Sequence, residues 1–353
     1  MSRSADPVLD WLLEKRDPGV RAFALRDLLD APADDPDVLA ARRSALRASP
    51  VREILEAQHP EGWWVKPGPG YGPKYRGTVW SMIFLGQLGA DGRERRVRRG
   101  ADYVLDHNRA PAPYGSFSWN GTPGGMVHCL AGNLCASLLE LGYGEDPRLQ
   151  QALDWLARSI TGEGIAPAST AVRGQGRAPG PSSDQASPRY YRTGTSGPGF
   201  ACAVNLHKPC AWGAIPALDA LSRIPPRRRT AVVRRAAEAG AAFLLSRDPA
   251  AADYPTPSGG PPSRSWFQFG YPMGYVQDVL RNLEVLTALG WGRDRRLLPA
   301  AEDLRKLRRP DGRWTMRYSY KGKLWCDVEA RGKPSKWVTL RARRVLKRMG
   351  VAV

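Results

Sequence analysis

The sequence predicts an all-α protein, an α/α toroid of about six helical hairpins with an inner and an outer ring of helices. Three observations predict it. Helical periodicity runs along the chain while strand signals stay weak. Helices that are apolar nearly all round alternate with amphipathic ones. One phrase also recurs near the two ends, "QHPEGWW" at 58–64 and "RRPDGRW" at 308–314, so that Glu61-Gly62-x-Trp64 and Asp311-Gly312-x-Trp314 match in offset. Such self-similarity is the trace of a repeat architecture.

Six segments are expected to form the inner ring: 18–32, 78–89, 129–142, 210–225, 276–290 and 336–350. "TVWSMIFLGQLG" has almost no polar face, as a helix covered on all sides requires. Gly89, Gly142, Gly290 and Gly350 follow four of these helices, where a left-handed cap needs no Cβ. Each of the first five is followed by a charged turn and a second helix, at 36–58, 95–107, 147–160, 229–246 and 295–308. In the third of these partners Leu149, Ala152, Leu153, Leu156 and Ala157 make one stripe. The sixth inner helix lacks a partner, and the leftover helix at 7–16 supplies it. A ring closed by its own termini has no exposed end repeat to cap.

Residues 1–353 are therefore expected to form one toroid domain, interrupted by irregular, lid-like segments at 162–208 and 248–270. The first is expected to be ordered, with a flexible tip near 172–186. The repeated phrase reads as a structural clasp between an outer helix and the next inner one. Its acid accepts from amides, its glycine makes the turn, and its tryptophan packs between the rings.

Composition excludes several classes. No window approaches eighteen apolar residues, so a membrane span is not expected, although peripheral contact is compatible with the surface. "MSRSADPVLDWLLEKRD" lacks the apolar centre and cleavage site of a signal peptide. Five cysteines are too few, and odd in number, for a disulfide framework; a reducing cytoplasm is expected. The net charge of +19 is spread along the chain, not gathered into one arm. It reads as solvated helix faces, and a nucleic-acid partner is not expected.

Aligned on their closing glycines, the inner helices begin near Thr78, Cys129, Cys210, Asp278 and Thr339, which a closed ring gathers at one mouth. "CAVNLHKPC" adds Cys202 and His207 there. Cysteine and histidine in local pairs are common zinc ligands, so Cys129, Cys210, His207, Cys202 and Asp278 are the candidate metal ligands, with Zn2+ the cofactor. Asp278, on an inner helix among apolar neighbours, is the candidate catalytic acid, since burial raises a carboxyl's pKa. Tyr75, Trp80, Trp119, Trp212, Tyr271, Tyr275 and Trp337 sit on or before inner helices, where ring faces can hold a cationic intermediate. Lys74, Arg76, Lys333 and Lys336 lie where a diphosphate could bind.

Gln58-x-x-Glu61-Gly62-x-Trp64 resembles the QW motif of terpenoid cyclases of the squalene-hopene type. The hairpin ring resembles the wider superfamily, which includes the β subunits of protein prenyltransferases. The tail "GKLWCDVEARGKPSKWVTLRARRVLKR" resembles a branch of bacterial and archaeal proteins carrying the same repeat. The resemblance implies an enzyme acting on a hydrophobic, isoprenoid substrate, with or without a diphosphate, in the toroid cavity, as a cyclase or a prenyltransferase. The prenyltransferase likeness implies zinc at the mouth, although their Asp-x-Cys pair is absent and Cys326-Asp327 is adjacent and reversed. The D-x-D-D motif of the cyclases is also absent. Two alternatives stand beside this reading: a metal-free cyclase using Asp278, and a non-catalytic module that binds an anionic partner.

Overall fold

The computed structural model describes residues 6–166, 190–191 and 193–351. In chain order its α-helices are α1 (Pro7–Leu12), α2 (Pro18–Leu28), α3 (Pro36–Ala45), α4 (Val51–Glu56), α5 (Thr78–Gln87), α6 (Arg95–His107) and α7 (His128–Glu140). They continue as α8 (Pro147–Thr161), α9 (Ala211–Ser222), α10 (Ala231–Leu244), α11 (Val279–Ala288), α12 (Leu298–Lys306) and α13 (Lys336–Met349). The inner ring is α2, α5, α7, α9, α11 and α13; from α5 to α13 each packs on the next, and α13 returns to α2. The ring closes where the start of α2 meets the residue after α5. A Cβ on Gly19 would fall 2.3 Å from the carbonyl oxygen of Leu88, so only glycine allows the approach. The remaining helices form the outer layer, and no helix among the described residues is long and apolar enough to cross a membrane.

The termini close the ring as expected. α1 packs against both α2 and α13. Asp6, which caps α1, pairs with Arg343, and Lys336 at the start of α13 reaches Glu14 at 2.7 Å and Asp17 at 2.6 Å. Gly89, Gly142, Gly290 and Gly350 stop their helices at φ between +69° and +101°. The outer helix expected at 36–58 is instead broken into α3 and α4. Pro50 lacks the N–H that a continuous helix would need there.

The two copies of the repeated phrase are the same device. The indole N–H of Trp64 donates to Ile54 O at 2.6 Å, and that of Trp314 donates to Leu304 O at 2.8 Å. Each backbone N–H then donates to a threonine hydroxyl of the following inner helix, Thr78 at 3.0 Å and Thr339 at 2.9 Å. Gly62 and Gly312 both turn at positive φ. Even the residue before the turn is matched in role: Gln58 donates to Gly62 O, and Arg308 to Gly312 O.

Short two-residue ladders complete the loops: β1 (Ile165–Ala166) with β2 (Tyr190–Tyr191), β3 (Ser196–Gly197) with β4 (Ala201–Cys202), and β5 (Trp314–Thr315) with β6 (Pro334–Ser335). The expected flexible tip near 172–186 lies outside the described residues. The segments around it meet over one mouth of the ring, where the Asn205 amide donates to Pro255 O at 3.0 Å.

Because each clasp tryptophan is fully buried with its N–H satisfied, Trp64→Phe and Trp314→Phe should each lose about 1–3 kcal/mol, from an orphaned carbonyl and a smaller ring. Urea denaturation should give similar losses for the two. A neutral result at either would show that its clasp does not hold the rings together.

Candidate functional site

The inner helices run parallel, so the ring has an N-terminal and a C-terminal mouth, and the two differ in chemistry. At the N-terminal mouth Tyr71, Tyr75, Trp80 and Tyr275 form one aromatic cluster. Trp80 lies 5.0 Å from Tyr75 and 5.1 Å from Tyr275, and Lys74 sits 5.7 Å above the Tyr275 ring. Trp119 joins at its exposed edge, 6.2 Å from Tyr71. Beside the cluster lie Cys129, Cys202 and Cys210. Burial pushes the Cys129 thiol up to about 12.

The other expected site residues are placed differently. Asp278 caps α11, accepting from Arg281 N at 2.6 Å, and is held by Arg341 at 2.9 Å. It is a buried, ion-paired cap and lines neither cavity described below. His207 stands on the loop leading back to Cys210. No group of three or more His, Cys, Asp or Glu among the described residues is placed to hold a metal ion. Lys336 is buried and used by the termini, and Arg76 donates to Leu324 O at 3.1 Å and lies 5.6 Å over Trp325. Lys333 donates its backbone N–H to Ala330 O within the turn before α13. Trp212 packs on Trp266. Tyr271 and Trp337 stack 4.4 Å apart within the bore. The bore retains a void of about 30 Å3, room for roughly two waters.

The larger cavity, about 680 Å3, opens at the C-terminal mouth. Its wall carries Leu39, Leu139, Leu141 and Ala288, and its floor is ionic. Glu140, the last residue of α7, takes Arg26 at 2.5 Å, Arg223 at 2.5 Å and Arg42. Asp219 takes Arg281 at 2.6 Å and Arg223 at 3.3 Å. Glu284 takes Arg341 at 2.8 Å and Arg344 at 3.2 Å, and Asp27 takes Arg344 at 2.5 Å. Burial alone would raise the Glu140 carboxyl, but its three guanidinium partners outweigh burial and hold it far below the carboxylate range.

Two features of this floor are unbalanced. Arg281 and Arg344 bury Nε–H groups that have no partner among the described residues. Arg348, an exposed residue, reaches the carbonyl of Glu284 at 3.4 Å and has no carboxylate partner among the described residues. It is the spare donor that the well presents.

None of these residues was singled out from the sequence. Their signal was charge inside otherwise apolar inner helices, as in "LLELG", "ALDALSR" and "RNLEVL". Glu329 was missed as well. It accepts from Lys336 N at 2.7 Å and from the Ser335 hydroxyl, beside a cavity of about 40 Å3, and burial raises it to about 7.

No family model matches the sequence, and no curated protein matches it. Among solved structures, a protein from Actinoplanes is 17% identical, covering 87% of this chain and 99% of its own, with a TM-score of 0.32. The type II terpene cyclase MstE from Scytonema, without ligand, is 15% identical over 87% of this chain and 97% of its own, at a TM-score of 0.29. A variant of that cyclase in complex with the substrate geranylgeranyl dihydroxybenzoate is 15% identical over 88% and 97%, at 0.30. Superpositions this loose transfer neither site nor chemistry.

Glu140→Gln should cost about 3–5 kcal/mol at neutral pH, because three guanidiniums lose their shared carboxylate. The folded-state pKa is depressed, so the stability Glu140 supplies is present above its unfolded value and lost as pH falls through the folded one. The variant's deficit, measured by denaturation against pH, should narrow in acid; a deficit independent of pH would count against the pairing. Glu329 has the opposite sign. Its raised pKa means the folded protein loses stability as pH rises from the unfolded value toward about 7. Glu329→Gln should melt higher than wild type at pH 8 and show less advantage at pH 5. Equal melting differences at both would refute the burial effect.

Proposed function

We propose that the chain takes up a hydrophobic small molecule with an anionic head, of the isoprenoid diphosphate kind, in the well at the C-terminal mouth. The observation that supports it is the spare donor capacity of a well of about 680 Å3, a size suited to a drug-sized ligand. Six helix C-termini point at this mouth, each carrying roughly half a negative charge, and on their own would repel an anion. The seven arginines and six carboxylates that line the well answer that field. The imbalance is local: Arg348 without a carboxylate, and the unpaired Nε–H groups of Arg281 and Arg344. Guanidiniums bind phosphate oxygens in pairs, and an anion seated there would give Arg348 the partner it lacks. The leucine wall would receive the hydrocarbon.

An enzyme acting on such a substrate would use this floor to stabilise charge on the departing diphosphate. A non-catalytic binding role is the second reading. It is favoured by the pairing of every buried carboxylate in the well, Asp27, Asp91, Glu140, Asp219 and Glu284, with arginine. No acid there stands apart as a proton donor.

Calorimetry with inorganic pyrophosphate, farnesyl diphosphate and farnesol tests the proposal. Farnesyl diphosphate should bind best, pyrophosphate more weakly, and farnesol least. Arg348→Ala, checked for folding by its melting point, should weaken the diphosphate about tenfold or more. Farnesol binding as tightly as its diphosphate, or affinity indifferent to Arg348, would overturn it. Release of pyrophosphate over time separates the enzyme from the binding module.

A further inference from the structure

Five loops crown the N-terminal mouth, at 65–77, 117–127, 193–210, 251–278 and 316–335, and each runs straight into an inner helix. They join into one collar. Thr195 Oγ1 donates to Gly124 O at 2.7 Å, and the Asn205 amide reaches Pro255 O. Arg317 N donates to Phe269 O at 2.8 Å, and Arg76 Nε to Leu324 O. The Tyr71 and Trp119 rings close the circle between the first loop and the second.

Two properties set this face apart, and the first is apolar exposure. Seven large hydrophobic side chains are exposed among the described residues, and five of them, Val65, Trp119, Val204, Leu206 and Phe267, stand on the collar. Scattered singly they would need no explanation; gathered on one face they mark an interaction surface. Val204 is 79% exposed and Leu206 63%, more than any of the others. Their loop is built to hold them out. Asn205 between them is buried, and its amide also donates to Pro209 O at 2.9 Å. Leu206 is kept at φ +53°, a conformation that bulky residues rarely adopt and that gathers at functional sites.

The second property is charge. The collar exposes ten lysines and arginines against two acids, Asp253 and Asp327. None of the ten forms an ion pair among the described residues, and Asp253 is itself 3.9 Å from Arg247. The outer helices differ: Arg148 of α8, Arg235 of α10 and Lys306 of α12 each meet a carboxylate. Helix N-termini carry partial positive charge, so the inner ring adds to the field at this end.

An acid-poor, cationic face calls for an anionic partner, and single protruding side chains suit a fluid one. A protein partner would have to offer a pocket for each, whereas lipids part around them. We propose that the collar docks the protein on the surface of a bilayer rich in anionic lipid. Val204 and Leu206 enter the boundary between headgroups and acyl chains, and Lys321, Lys323 and Lys208 meet the lipid phosphates. Trp119 lies at headgroup depth, where indole rings settle. The bore is plugged, so the docked face and the well at the opposite end act separately, and the well stays in water.

Flotation of the full chain with phosphatidylcholine vesicles, with and without phosphatidylglycerol, is the test. The chain should float with the mixed vesicles and stay behind with phosphatidylcholine alone, and added salt should weaken the binding. Val204→Asp with Leu206→Asp, and separately Lys321→Glu with Lys323→Glu, should each weaken it about tenfold or more. All four side chains are exposed, so both variants should melt as the wild type does. Arg95→Glu with Arg98→Glu, on the exposed side of α6, lowers the net charge equally and should bind nearly as wild type. An equal loss from the α6 pair would show a general attraction of a basic chain and overturn the proposal. So would binding indifferent to phosphatidylglycerol or to the Val204 and Leu206 substitutions. A dimer in solution that Leu206→Asp dissolves, with vesicles left unbound, would assign the face to a second copy of the chain instead.

Discussion

A closed circuit of ion pairs around the bore is the constraint on which the rest depends. Arg344 of α13 joins Glu284 of α11 and Asp27 of α2. Arg281 of α11 joins Asp219 of α9, Arg223 carries the chain from Asp219 to Glu140 of α7, and Arg26 of α2 returns it from Glu140 to Asp27. Five of the six inner helices are thereby linked without a break. α5 has no charge to offer and is tied by Gln87, whose amide donates to Met273 O at 2.7 Å and accepts from Met273 N at 2.7 Å. Buried ion pairs gain little over an apolar core, but removing one partner is expensive. The circuit therefore fixes which helices may be neighbours more than it adds to overall stability.

That circuit decides where a ligand can sit. Arg341, reaching both Asp278 and Glu284, fills the axis together with the stacked Tyr271 and Trp337. The space left in the bore is about 30 Å3, so no hydrocarbon chain can thread the ring. Binding is confined to the mouths, and the larger space is at the C-terminal one, with an apolar wall above an ionic floor.

The ring itself was legible because it rests on signals that sequence carries well. Apolar helices such as α5, glycine stops such as Gly142, and the repeated clasp at Trp64 and Trp314 are local patterns, and each predicted its element. The orphan helix at 7–16 predicted closure because an unpaired apolar stripe must be covered. The site was less legible. Asp278 stood out as a carboxylate among apolar neighbours and Lys336 as a cation at the mouth, yet each meets its partner far along the chain, Arg341 for one and Glu14 with Asp17 for the other. Pairings of that kind depend on which helices face each other. The same blindness hid the well, whose charges read singly as interruptions of α7, α9 and α11. The reading of the net charge as solvated helix faces suits the exposed arginines of α6, but Arg42, Arg281 and Arg341 are buried.

The two mouths are chemically separate because the bore between them is plugged. Tyr271 and Trp337 stand between the aromatic and thiol groups on one side and the arginine floor on the other. A charge placed in the well meets Arg348, Arg344 and Arg281; the N-terminal mouth offers the aromatic faces of Tyr75, Trp80 and Tyr275 instead. The wall between them is a buried salt-bridge network with little space to rearrange, and packed interiors transmit change by switching between discrete arrangements. Coupling between the mouths would therefore have to run through a lean of α7, which carries Cys129 near its start and Glu140 at its end, or of α9, which Cys210 and Arg223 cap. Both helices touch both chemistries directly. Their close contact, where a Cβ on Gly132 would fall 2.4 Å from the Ala217 nitrogen, leaves neither much freedom to move alone.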